Sequence, residues 1–299
     1  MTAAFERVLV PFDASPPAVA ALDHGIALAS EGSELVVAYV VDDAPLITQS
    51  ATTIAVYDAT PMIEALDEQA RGILTQAQMR AREAHVEPSL ALVHETTIAG
   101  IVGLAAHRSC DLIAMGTHAR TGLVRALMGS TTEGVLRSSH VPVLAVHAET
   151  RLCEHTFLRS ALVAVDDSDP ADAAVALSAK LAHVCGTRLI LCNVADTRDI
   201  YEMAGTYAYD PRQLVDEALA SAHAVLERAY ARFTTSGEAE MAVLEGEPVD
   251  AIIEAAQRYT VDVIVIGSHG RRGLPRLLLG SVAEHVVRRS RVPVLVVRN

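Results

Sequence analysis

Gly267-Ser268-His269-Gly270-Arg271-Arg272-Gly273, followed by Gly280-Ser281, is the stretch on which the fold turns. The run Val261-Asp262-Val263-Ile264-Val265-Ile266 leads straight into it. Short, β-branched and almost free of polar side chains, that run has the character of a strand buried in a parallel sheet. Behind Gly280-Ser281, the segment Val282-Ala283-Glu284-His285-Val286-Val287-Arg288-Arg289 reads as a helix. A strand therefore empties into a glycine loop, and a Gly-Ser step opens the next helix. Glycines let backbone N–H groups approach an anion without Cβ obstruction. A helix N-terminus adds unpaired donors and a partial positive charge. These parts together suit a phosphate chain.

The device occurs twice. Asp111-Leu112-Ile113-Ala114-Met115 precedes Gly116-Thr117-His118-Ala119-Arg120-Thr121-Gly122, and Gly129-Ser130 follows at the same spacing, with Ala119 in place of one glycine. Outward from the two loops the halves keep step. Val8 to Asp13 and Ala161 to Asp166 are first strands ending in a carboxylate, each followed by a Ser-capped, Pro-containing helix start at Ser15 and Ser168. The helices close at Gly32 and Gly186. Second strands run Leu35 to Val41 and Leu189 to Val194, the latter leading into Ala195-Asp196. Ala44 to Thr60 and Thr197 to Pro211 are expected to be loops, the latter carrying Tyr201, Tyr207 and Tyr209. Long helices (Met62 to His85, Leu214 to Phe233), a strand, a second helix, the strand before the glycine loop and a closing Val-Pro-Val-Leu strand complete each half.

Alternating strands and helices imply a parallel sheet with right-handed crossovers. The expected fold is α/β: two tandem copies of a doubly wound, five-stranded parallel domain with a flavodoxin-like layout. The expected domains are 1–147 and 159–299, joined by a linker over 148–158. Ligands of such sheets sit at the carboxyl ends of strands where the winding reverses. If the first and fourth strands are neighbours, Asp13 and Asp166 each face their glycine loop across a crevice.

Composition narrows the function. A net charge of −13 argues against nucleic acid or an anionic membrane as the main partner. The N-terminal Met1-Thr2-Ala3-Ala4-Phe5-Glu6-Arg7 is not followed by a signal-like or membrane-length apolar run, so a cytoplasmic location is expected. Cys110, Cys153, Cys185 and Cys192 form no C-x-x-C pair and read as reduced thiols. A P-loop needs a lysine beside the phosphates, and the single lysine, Lys180, lies on a helix remote from both loops. A dinucleotide fingerprint after the first strand is absent, since those strands run into Pro11-Phe12-Asp13-Ala14 and Ala164-Val165-Asp166-Asp167. His118 and His269 have no carboxylate partner evident in the sequence, and His147, Cys153 and His155 match no usual zinc spacing. The three tyrosines fit a lid, a partner surface or an ordinary variable loop.

Gly267-x2-Gly270-x9-Gly280-Ser281, with the leading strand that ends in Asp and the Val-Pro-Val-Leu closing strands, resembles the ATP-binding signature of the universal stress protein family. The resemblance covers the chain twice, apart from the linker. It implies a stress-response regulator, not a catalyst, that binds ATP with Mg2+. A slow ATP hydrolase or nucleotidyl transferase, and a scaffold taking an apolar ligand or a metal in the same cleft, are the alternatives. Carried over by motif, Asp166 would contact the adenosine and Ala195 would lie against the adenine. Ile266, Gly267, Gly270, Arg271, Gly280, Ser281 and Val282 would line the ribose and phosphate path. In the first half the matching places are Pro11, Asp13, Val41, Met115, Gly116, Gly129, Ser130 and Thr131. There Ala119 breaks the signature, and a methyl group together with a poorly tolerated positive φ is expected to weaken that site. The resemblance also implies that the two repeats pair through their last strands, that a homodimer forms, and that a regulatory protein partner, unnamed by the sequence, is served.

Overall fold

The computed structural model describes residues 3–42, 60–117, 128–150, 158–207, 210–232, 239–270 and 278–298. The chain divides between Leu152 and Cys153 into two compact units, apart from three residues outside the described set.

In the first unit β1 (Arg7–Pro11), β2 (Glu34–Val41), β3 (Ser89–His94), β4 (Leu112–Gly116) and β5 (Val143–Val146) lie in the order β3-β2-β1-β4-β5. Each of these pairings is parallel. The helices are α1 (Pro16–Ser30), α2 (Thr60–Glu83), α3 (Thr97–His107) and α4 (Ser130–Ser138). α1 touches α2, and α3 touches α4. Right-handed crossovers in a sheet wound outward from β1 put one pair on each face.

The second unit repeats this with β6 (Ser160–Ala164), β7 (Arg188–Ala195), β8 (Ala239–Glu245), β9 (Val263–Gly267) and β10 (Val294–Val297), ordered β8-β7-β6-β9-β10 and all parallel. Its helices are α5 (Asp169–Cys185), α6 (Arg198–Tyr207), α7 (Arg212–Arg232), α8 (Pro248–Arg258) and α9 (Ser281–Arg289).

The cores are aliphatic. Val8, Leu9 and Val10 in β1 and Val263, Ile264 and Val265 in β9 are wholly buried, as strands covered on both faces must be. Small residues bring helix to sheet: a methyl on Gly25 of α1 would come within 2.7 Å of Val10 and 3.1 Å of Leu35. The helix starts behave as their sequences require. Ser15 and Ser168 cap α1 and α5 by accepting from the amides of Ala18 and Ala171. Gly186 closes α5 at φ 69, and Gly32 follows α1 at φ 114.

Two expectations change. The stretch after β7 is not a loop: Arg198–Tyr207 forms α6. Asp196 starts it, accepting from the Arg198 amide and pairing with its guanidinium at 2.9 Å. Ile200 and Ala204, one turn apart, are half-buried beneath it. The first strands also end two residues before their carboxylates, at Pro11 and Ala164, so Asp13 and Asp166 stand in the turn beyond the sheet. The loop expected over Ala44 to Thr60 lies outside the described residues except for Thr60, which opens α2.

Candidate functional site

The winding reverses between β1 and β4 in the first unit and between β6 and β9 in the second. Both pairs are adjacent, Val8 opposite Leu112 and Ala164 opposite Ile266 among their registers. The strand adjacency that a crevice at the carboxyl edge requires is therefore present in each sheet.

In the second unit Asp166, Gly270 and Gly280 lie close together around the Ser268-His269 loop. Gly270 lies against the Asp166 carboxylate: a Cβ there would overlap Oδ2. Asp166 Oδ1 accepts from the Ser168 amide at 3.2 Å and the Ser168 hydroxyl at 2.5 Å. The same hydroxyl lies 3.3 Å from the His269 carbonyl, so Ser168 spans the acid and the glycine loop. Gly280 packs on that loop from the other side. A Cβ on it would stand 3.0 Å from the His269 Cα, and its amide donates to the Ser268 carbonyl at 2.7 Å.

Gly280 is also the N-cap of α9, and no side chain caps the helix. Its first-turn amides thus remain available to an external acceptor. Ser281 is exposed and Val282 half-buried at this opening. Glu284, the acid in the first turn, is tied to Arg288 at 2.6 Å.

Gly267 is pressed against a helix start. A Cβ there would meet the Ala171 amide nitrogen and the Pro170 carbonyl carbon at 2.8 Å, and Gly116 stands in the same relation to Pro17 and Ala18. These two glycines let the starts of α5 and α1, the helices that follow β6 and β1, rest on the ends of the neighbouring strands β9 and β4. Ile266 and Met115, the residues before them, are buried. Ala195 ends β7 nearly buried, its carbonyl accepting from the Gly246 amide at 3.1 Å; Val41 is its counterpart, accepting from Glu95 at 3.2 Å. Both sit at the carboxyl edge of the strand beside the acid-bearing one.

The first unit is looser at its acid. Asp13 is exposed and accepts from the Ser15 amide at 3.0 Å. Pro11, Gly116, Gly129 and Thr131 are half-buried, and Ser130 is exposed. Gly129 caps α4 without side-chain help, as Gly280 caps α9, and Thr132 donates to the Gly116 carbonyl at 2.7 Å. Ala119, His118 and Arg271 lie outside the described residues, as do Cys153 and His155.

Several side chains at the second crevice were not marked by sequence. Ser168 read as a helix cap alone. The Asp167–Arg228 ion pair, 2.8 Å, joins residues too distant in the chain to show a pattern. Glu245 at the end of β8 accepts from Tyr201 at 3.0 Å and Thr197 at 3.2 Å, fastening α6 beside the β7 edge. The tyrosine's hydrogen bond to that carboxylate raises its pKa. His269 Nδ1 lies 3.0 Å from the Ser268 hydroxyl, and His147 Nδ1 lies 2.9 Å from Thr117 Oγ1. Among the described residues no group of acids, histidines or cysteines could hold a metal ion, and no helix is long and apolar enough to cross a membrane. Cys110, Cys185 and Cys192 are in no disulfide, and burial raises the pKa of Cys110 to about 11 and of Cys192 to about 12.

Two tandem α/β units, each with a helix start at its sheet's reversal point, define a tandem doubly wound class of protein. The model of the universal stress protein family matches residues 4–147 and again 158–298, so the chain belongs to that family as a tandem member. It is 26% identical over 237 residues to a universal stress protein of Mycobacterium tuberculosis, covering 78% of each chain. A universal stress protein of Methanocaldococcus jannaschii is 32% identical over 144 residues, 48% of this chain and 82% of that one. The solved universal stress protein of Archaeoglobus fulgidus superposes on all of the chain and 99% of its own length, with a TM-score of 0.70 at 22% identity.

Proposed function

We propose that this protein is a nucleotide-binding regulator of the stress response, taking one ATP with magnesium in the crevice of the second unit. The observation that carries the reading is the contact between Gly270 and Asp166. The loop has no side chain where the acid needs room, and the acid is held at the mouth of the crevice. The intact signature and the uncapped start of α9 support phosphate binding beside it. Asp166 supplies an acceptor suited to a ribose hydroxyl, and the amides at Gly280 to Val282 supply donors suited to phosphate oxygens. The bound nucleotide would supply the negative charge that this helix start attracts.

A regulatory role fits better than catalysis. In the described part of the loop the imidazole of His269 lies 3.0 Å from the hydroxyl of its neighbour Ser268, which is no general-base orienter of the carboxylate kind. Calorimetric titration of the full chain with ATP and magnesium should give one site per chain. Gly280→Asp, which sets a carboxylate where the phosphates would lie, should abolish the heat. Undiminished binding by that variant would remove the site from this crevice.

A further inference from the structure

Asp166 is aimed by the residue that follows it. Asp167 has φ 67, a left-handed conformation disfavoured for any residue with a Cβ and better tolerated by Asp than by most. This turn swings the chain from β6 into α5 and lets Asp166 Oδ1 receive the Ser168 amide and hydroxyl while Oδ2 meets Gly270. The side chain of Asp167 points the other way, into a two-pronged ion pair with Arg228. Nη2 is 2.8 Å from Oδ2 and Nε 3.3 Å from Oδ1. One turn further along α7, Arg232 pairs with Asp172 in the first turn of α5. Two arginines of α7 thus grip the turn and the helix start that carry the acid.

The first unit makes the same turn without the grip. Ala14 has φ 60 at the equivalent place and only a methyl, with no polar group for an arginine to hold, and Asp13 beside it is exposed where Asp166 is half-buried.

We infer that Arg228 is a positioning residue of the second crevice: by tying down the left-handed Asp167, it fixes the Asp166 carboxylate against the glycine loop. The inference takes its ligand from the nucleotide reading above, but the tie itself exists without ligand. The forked geometry matters, since a guanidinium constrains a carboxylate in direction as well as distance. An exposed ion pair contributes modestly, so the effect on affinity is expected to be about two- to fivefold.

Hydrogen–deuterium exchange on the nucleotide-free full chain tests the tie directly. In Arg228→Gln the Ser168 amide, which donates to Asp166, should exchange severalfold faster, and Arg228→Lys should recover part of the protection. Unchanged exchange in Arg228→Gln overturns the inference whether or not ATP binds. Titration with ATP then tests the consequence. Arg228→Gln should weaken binding by the stated factor in the wild-type background and by nothing further in Asp166→Ala. Equal losses in both backgrounds would mean that Arg228 acts elsewhere, and overturn the inference too. A wild-type chain that binds no ATP would remove the nucleotide reading, while the exchange comparison would still decide the tie.

Discussion

Gly270 is glycine because Asp166 occupies the space a methyl would need. The sequence suggested two reasons, a methyl crowding the phosphate path and a positive φ; the described glycines with positive φ are Gly32, Gly186 and Gly246, so the second does not apply to Gly270. The constraint at the loop is steric, and it falls on the carboxylate. Gly270→Ala should therefore displace Asp166 and weaken ATP binding by roughly ten- to a hundredfold, the range expected when one methyl is forced into a filled space. The same logic bears on the first unit, whose signature carries Ala119 at the matching position. If the methyl alone silences that site, Ala119→Gly should raise the calorimetric stoichiometry from one to two. A value that stays at one would assign the difference to the exposed Asp13 and its untied turn. That the acid and the loop face each other was legible in the sequence, because the strand order of a doubly wound sheet forces their strands together. The Ser168 bridge and the Arg228 tie were not, since nothing in local spacing records a contact made across a hundred residues or between a turn and a distant helix face.

At the scale of elements, what could be read was what local chemistry dictates. Continuous apolar runs marked the strands, and Ser-x-Pro and Gly marked the ends of α1 and α5. The end of α5 offers a clean measure of one such signal. Gly186 has φ 69, and a Cβ there would meet nothing within 4 Å, so Gly186→Ala adds backbone strain without a clash. It should cost about 1 kcal/mol, read as a lower unfolding midpoint with the denaturant slope unchanged. The helix α6 was missed for the converse reason. It is short, contains Gly205, and buries only a thin face at Ile200 and Ala204. Its hold comes from outside, through Tyr201 and Thr197 on Glu245 of β8. At ten residues it is also too short to be stable on its own, so its local sequence alone does not decide for a helix. The glycines Gly116 and Gly267 were legible as special, but their contacts with the starts of α1 and α5 were not, because helix packing and anion binding both ask for a missing Cβ.

Over the whole molecule, acids outnumber bases, and many acids at the surface are paired with arginines, as in Arg80–Asp23 and Arg198–Asp196. A buried base among them gives stability a distinct pH dependence. His24, on α1, is 1% exposed, and its Nδ1 lies 2.8 Å from the Ala20 carbonyl. A carbonyl only accepts, so Nδ1 carries the proton of the neutral ring. Burial holds the imidazole pKa below its usual value, with the Ala20 hydrogen bond and nearby Asp23 opposing. Below about pH 6.5 the unfolded chain protonates this group before the folded chain does. Its contribution to stability is therefore intact above that pH and is lost as pH falls towards the depressed folded value, with a slope of at most about 1.4 kcal/mol per pH unit. Glu31 works with the opposite sign, its pKa raised by burial, so a single curve mixes the two. His24→Leu removes one of them. Unfolding midpoints measured from about pH 7.5 down to about pH 5 should fall less steeply in the variant than in the wild type, whatever the offset between them. Parallel curves would show that the folded interior accepts the charged ring as readily as water does.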